Sequence, residues 1–101
     1  MNTYVAIPHH DYPTQVRQTV AEKLQTLERY EDRVTNVHAT LGREKQKHHV
    51  GLVATVANGA TLVADVRGEA LSEALSEAVQ RLASQLRKVH DKGVQRRHGR
   101  L

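Results

Sequence analysis

Val50-Gly51-Leu52-Val53-Ala54-Thr55-Val56-Ala57-Asn58-Gly59-Ala60-Thr61-Leu62-Val63-Ala64-Asp65-Val66 is the stretch that decides the fold. Val50, Leu52, Ala54 and Val56 alternate with other residues, Asn58-Gly59 interrupts, and Leu62, Ala64 and Val66 resume the alternation. A period of two puts one set of side chains on one face of a strand, and Asn-Gly tolerates the positive φ of a tight turn. The stretch therefore predicts an antiparallel hairpin with one buried face. Upstream, Val37, Ala39 and Leu41 alternate with Asn36, His38 and Thr40, which predicts a further strand over Val34 to Gly42. The wholly polar link Arg43-Glu44-Lys45-Gln46-Lys47-His48-His49 is expected to project from the sheet as a basic turn.

Working outward, Met1 to Ile7 is β-favouring and stops at Pro8, which cannot donate to a ladder. After His9-His10-Asp11-Tyr12-Pro13, Thr14 can cap a helix whose apolar stripe is Val16, Val20, Leu24 and Leu27, running to about Tyr30. Beyond Gly68, Leu71, Ala74, Leu75, Ala78, Leu82, Leu86 and Val89 form the stripe of a second helix, expected to end near Asp91 with Gly93 as its stop. The order is β-α-β-β-β-α. It predicts an α+β fold, one four-stranded mixed sheet with two helices packed on one face. Strands one and two, joined through a helix, should form a right-handed parallel crossover, and strands two to four an antiparallel meander. The uncovered face would carry the polar alternates and be wet. Residues 1–92 read as one domain and 93–101 as a flexible basic tail.

At 101 residues there is room for one modest core, and with no Phe or Trp and only Tyr4, Tyr12 and Tyr30 that core must be aliphatic. No cysteine means no disulfide framework and no thiol chemistry, and no stretch approaches the length of a membrane span. These features suit a cytoplasmic protein with no membrane partner. The sequence has no glycine-rich phosphate loop and no G-x-S-x-G, and its helix-two serines fall within an amphipathic pattern, so an enzyme with a small-molecule substrate is not expected. Seven histidines, with His9-His10 and His48-His49 adjacent, raise a metal hypothesis. Adjacent strand residues point to opposite faces, and neither helix carries His-x-x-x-His, so no metal or other cofactor is expected.

Charge gives the sharper signal. Residues 1–80 hold eight Lys/Arg against ten Asp/Glu, whereas residues 81–101 hold seven against one. Cations gathered at one end are the footprint of a protein that docks on a polyanion. Three groups stand out: Lys23, Arg29 and Arg33 around the end of helix one; Arg43, Lys45 and Lys47 in the turn; and Arg81, Arg87, Lys88 and Lys92 on helix two, all of them but Arg43 being candidate contacts to RNA. If the two helices lie side by side, Lys23 and Arg29 join Arg81, Arg87, Lys88 and Lys92 as one phosphate-contacting surface. Some of this charge has a structural account as well, since Glu69, Glu73 and Glu77 near the start of helix two and Arg87 and Lys88 near its expected end complement the helix dipole, and Glu77 to Arg81 is a favourable i,i+4 pair. Few aromatics are available to stack bases, so recognition of shape and phosphate is expected rather than of single-stranded sequence.

Leu27-Glu28-Arg29-Tyr30-Glu31-Asp32-Arg33 resembles the end of helix one in the ribosome hibernation-promoting factor and ribosome-associated inhibitor family, the sigma-54 modulation proteins. Glu44-Lys45-Gln46-Lys47-His48 resembles that family's E-K-x-x-H turn, Asn58-Gly59 stands at its hairpin, and Leu82 to Lys92 is similar to its final helix. The resemblance implies a β-α-β-β-β-α domain that binds the small ribosomal subunit through 16S-type rRNA, in the channel used by messenger and transfer RNA, and silences translation in stationary phase or stress by occlusion. Carried over residue by residue, it makes Lys23, Arg29, Arg33, Lys45, Arg87, Lys88 and Lys92 contacts to rRNA, with Asp32 ordering the turn near Arg33. It also implies a short form lacking the domain that joins two ribosomes. Two positions depart from the pattern: Glu31 replaces a usual aromatic, and Ala70-Leu71 a usual Met-Tyr pair. Two other readings are a general double-stranded-RNA-type module, which shares the α-β-β-β-α order but uses a cationic start to its last helix, and a histidine-dependent metal protein.

Overall fold

The structure, a computed structural model, describes residues 1–29, 33–57 and 59–99, and of residues 28–29 and 89–99 the backbone alone. Along the chain run β1 (Asn2–Ala6), α1 (Gln15–Gln25), a 3-10 turn (Thr26–Arg29), β2 (Val34–Glu44), β3 (Lys47–Val56), β4 (Thr61–Gly68) and α2 (Leu71–Gly99). The four strands form one sheet in the order β1-β2-β3-β4. β1 pairs with β2 in parallel, with Tyr4 beside His38, and the other two pairings are antiparallel. This is the α+β, mixed-sheet architecture that the alternation predicts.

The alternating residues explain the layering. Val37, Ala39 and Leu41 of β2, Val50, Leu52, Ala54 and Val56 of β3, and Ala64 and Val66 of β4 are all buried on one face. Against them lie Val20 and Leu24 of α1, Leu27 of the 3-10 turn, and Ala74, Ala78, Leu82 and Leu86 of α2, in a single core. α1 sits over β1 and α2 over β3 and β4, and the two helices touch. The alanines bring α2 close to the sheet, while each fully buried leucine stabilises by about 1.5–3 kcal/mol. At Gly68 an added Cβ would come within 3.3 Å of the Ala74 Cβ, so the chain enters α2 through a close approach that only glycine permits without a shift.

Several local expectations change. The link Arg43–His49 is not a projecting loop: β2 and β3 pair as far as Arg43 with His48 and Glu44 with Lys47, leaving only Lys45-Gln46 to turn. Polar residues can extend an antiparallel ladder past the core because its hydrogen bonds are made by backbone. The loop before α1 holds this extension in place. The Arg43 backbone N–H donates to Asp11 Oδ2 at 3.1 Å, and the Tyr12 hydroxyl meets the hairpin at Gly42 and His48. Thr14 stands at the N-cap position but makes no side-chain cap, its backbone already being helical. Instead the Val16 N–H donates to Pro13 O and the Arg17 N–H to Thr14 O, both at 3.1 Å.

At the hairpin between β3 and β4, Gly59 has the expected positive φ of 92° and Val56 exchanges bonds with Ala60 and Gly59, while Asn58 lies outside the described residues. α2 does not stop at Gly93 but continues to Gly99. Its expected stripe residue Val89 lies outside the described side chains.

Directions within the sheet decide where charge goes. β1, β2 and β4 run the same way, and α1 returns from the end of β1 toward the start of β2. α2 also runs back, since Arg81 meets Asp65 of β4 and Gln85, one turn later, meets Val63. The helices are therefore parallel, and both C-terminal halves lie toward the end of the sheet where β2 begins.

Candidate nucleic-acid interface

The sheet directions sort eight of the nine predicted cations into two poles. Lys23 is exposed in the last turn of α1, Arg33 is exposed just before β2, and Arg87 and Lys88 are exposed on the C-terminal half of α2. Arg29 and Lys92 continue the same two elements, on the 3-10 turn and on α2, and their side chains lie outside the described residues. These six residues belong to the pole at the start of β2. Lys45 and Lys47 belong to the other, at the β2–β3 turn. Ten residues of β2 separate the poles, about 33 Å at the usual strand rise. The longest extent of the molecule is 53 Å, and α2 alone, at 29 residues, runs for about 43 Å.

Arg81 falls between the poles and is engaged by the fold. Its Nη2 pairs with Glu77 Oε2 at 3.1 Å, the i,i+4 pair the sequence suggests, and its Nη1 donates to the Asp65 carbonyl at 3.4 Å. Beside it Gln85 Nε2 donates to the Val63 carbonyl at 2.8 Å. The two side chains cover carbonyls along the outer edge of β4, which would otherwise be open to another strand.

The turn pole is built with care. Lys45 has φ 58°, a left-handed conformation that costs a non-glycine residue about 1–2 kcal/mol. Beneath the turn, Tyr12 and His48 stack with ring centroids 5.6 Å apart, and the Tyr12 hydroxyl lies 2.6 Å from His48 Nδ1 and 3.1 Å from Gly42 O. One hydroxyl has one proton. When it is donated to Gly42 O, as the geometry allows, His48 must carry hydrogen on Nδ1 and donate it to Tyr12. Burial pushes the Tyr12 phenol above its ordinary pKa; the Arg43 cation opposes this and Asp11 adds to it.

The histidine pairs separate as strand geometry requires. His48 bonds Tyr12, while His49 on the other face pairs with Asp65 of β4. Among the described residues no three His, Asp or Glu side chains converge on a point where a metal could sit. No described helix is long and apolar enough to cross a membrane.

The sequence profile of the family described as sigma 54 modulation protein / S30EA ribosomal protein matches residues 5–93. The chain belongs to this family. In the S30EA family chain the matched span takes in both poles and all nine predicted residues. Among solved structures, a ribosomal subunit interface protein from Coxiella burnetii superposes with a TM-score of 0.80 at 20% identity, covering 90% of this chain and 99% of that one. The N-terminal domain of Protein Y from Thermus thermophilus gives 0.76 at 24% identity, covering 88% and 99%. At these identities the likeness speaks for the fold. No curated protein matches by sequence.

Sequence reasoning missed two features of this S30EA domain. It treated Asp11 and Tyr12 as plain loop, and it expected a polar outer face where Tyr4, Val53 and Val63 stand exposed. The second was recoverable from the sequence. Tyr4 and His38 are both out-of-phase alternates, and once β1 is set parallel to β2 they become neighbours.

Proposed function

We propose that the protein is a ribosome-associated factor that binds the small ribosomal subunit through its 16S-type rRNA, fills the channel used by messenger and transfer RNA, and inhibits translation in stationary phase or stress. The observation that carries this is the gathering of Lys23, Arg33, Arg87 and Lys88 at one end of two parallel helices, in a chain of the S30EA family. Cations at a spacing set by rigid helices contact phosphates of a folded RNA and position the domain on it. Lys45 and Lys47, about 33 Å away along β2, supply a second anchor, so one domain bridges two separated stretches of rRNA. Such a protein acts by occlusion in the cytoplasm and needs neither a catalytic group nor a cofactor. In this scheme residues 93–101 act as a basic arm that becomes fixed on rRNA.

The test is co-sedimentation of the full chain with small subunits, large subunits and free duplex RNA across a salt series, beside a Lys23→Glu, Lys88→Glu variant. Saturable pelleting with small subunits alone is expected, with a logarithmic salt slope smaller in the variant by roughly 0.7–0.9 for each phosphate that is no longer neutralised. Equal retention on all three RNAs would replace this function with that of a general duplex-RNA module. No retention at low salt would remove the polyanion partner altogether.

A further inference from the structure

Tyr4, Val53 and Val63 are the exposed large apolar side chains among the described residues, and the strand register puts them in one row. Tyr4 lies beside His38, His38 beside Val53, and Val53 beside Val63, so the row crosses all four strands on the face away from the helices. The rings of Tyr4 and His38 stack with centroids 4.6 Å apart at 24°, and Tyr4 remains 49% exposed. In the next row toward the turn stands Gly51, between Thr40 and Asp65. Its φ is not positive, it sits in regular pairing, and an added Cβ would meet nothing nearer than Thr40 O at 4.0 Å. Neither backbone nor packing asks for glycine there. A glycine inside a strand often marks a bulge, a bend or a close approach to the backbone, and the regular pairing at Gly51 leaves the last of these as the functional reading.

Charge along the same face points to an anionic occupant. Asp65 is paired with His49 and Glu44 with Arg67, while Lys45, Lys47 and Arg67 line an open groove at the turn. That end of the face is net cationic, since Lys45, Lys47 and Arg67 outnumber Glu44 and Asp65, and each of these two acids already has a partner, in Arg67 and His49. From His38 to Glu44 is about 20 Å of strand, the reach of a short single strand. A second copy of the chain is a poor occupant. The apolar row is one residue wide and flanked by Asn36, Thr55 and Thr40, too narrow a strip to form a dry interface core. Duplex RNA is poor too, because its base faces are stacked away from an aromatic surface.

The geometry points to a second RNA surface on the uncovered sheet face. A single-stranded RNA segment lies along it with one base stacked on the Tyr4–His38 pair, the next over Gly51, and its phosphates led toward Lys47 and Lys45. This combines stacking on an aromatic with a cationic path for the backbone, the two elements of single-strand binding. It goes beyond the helix-borne surface proposed above and does not depend on it.

The test is fluorescence anisotropy of the full chain with a labelled eight-nucleotide single-stranded RNA and with a duplex of the same sequence, at low salt. The variants are Tyr4→Ala, Tyr4→Phe and Gly51→Val, and each is checked for an unchanged melting temperature. Tyr4→Ala should bind the single strand roughly tenfold more weakly, as for the loss of one stacked base, with Tyr4→Phe within about twofold of wild type. Gly51→Val, which fits the strand but fills its floor, should weaken binding as well. Unchanged single-strand affinity in both Tyr4→Ala and Gly51→Val, or equal losses on single strand and duplex, would overturn the proposal. So would a concentration-dependent dimer that Tyr4→Ala abolishes, because a second copy would then be the occupant. Small-subunit pelleting of wild type is run in parallel. Its failure beside intact single-strand binding would sink the ribosome function and leave this surface standing, and the converse would do the reverse.

Discussion

Replacing Tyr12 with Phe removes one oxygen from the junction between the loop before α1 and the β2–β3 hairpin, and nothing else. The hydroxyl meets Gly42 O at 3.1 Å and His48 Nδ1 at 2.6 Å in a half-buried setting, so its loss leaves two polar groups without that partner. A net hydrogen bond is worth about 0.5–1.5 kcal/mol, and stranding a half-shielded partner adds to this, which makes about 1–2 kcal/mol for the site. For a domain of this size that lowers the melting temperature by roughly 5–10 °C. Circular dichroism melts of wild type and Tyr12→Phe measure it.

Two further readouts separate this junction from general damage. Long-range nitrogen–proton NMR should show His48 bearing hydrogen on Nδ1. The alkaline limb of stability should also change. Burial raises the folded-state pKa of Tyr12, so its neutral form stabilises the fold below the unfolded value near 10, and this contribution is lost as pH climbs through the folded value. Tyr12→Phe should flatten that decline above about pH 10. A melting shift under about 2 °C together with an unchanged alkaline limb would refute the reasoning, and hydrogen on His48 Nε2 alone would refute the bonding pattern.

Lys45→Gly relieves the left-handed φ of 58° and should raise stability by up to about 1 kcal/mol in urea unfolding while weakening retention on small subunits, so that stability and binding move in opposite directions. Gln85→Leu with Arg81→Leu strips two donors from carbonyls on the outer edge of β4; light scattering on incubation should rise well above wild type at equal concentration. Lys88→Gln should leave stability within about 0.3 kcal/mol yet weaken subunit pelleting, whereas Lys23→Gln should cost about 0.3–1 kcal/mol as well.

Alternation and stripe carried the fold because each is a direct imprint of burial. Val37-Ala39-Leu41 and Val50 to Val56 could face the core only as strands, and Leu24, Leu82 and Leu86 only from helices. The signal failed where no apolar side chain reported. Arg43 to His49 pairs through backbone, so polarity read it as loop, and the α2 backbone passes Gly93 without any stripe to announce it. The cations were legible as residues, and as a surface only on the condition that the two helices lie side by side. Their grouping into two poles follows from the parallel run of α1 and α2, a property of strand order. Tyr4 and His38 lie far apart in sequence, and only register makes them a pair.

The length of α2 bears on what its cations are for. Had the helix ended near Asp91, Arg87 and Lys88 would sit in its last turn, where a cation stabilises the helix by answering the dipole, and no partner would be needed to explain them. The helix instead continues to Gly99, which puts Lys88 about three turns before the end. The dipole effect fades within the last turn, so it gives Lys88 no stabilising role. Lys23, in the last turn of α1, keeps that role. The two lysines lie on helices that run side by side toward the same pole, yet only one is accounted for by its own helix. A solvated lysine with no structural task is ordinary when alone. Several exposed on one end of two parallel helices raise the local potential and invite a polyanion there. If Lys88→Gln destabilised the fold as much as Lys23→Gln and left subunit binding untouched, the cations would be structural and the helix pole would lose its claim as an RNA surface.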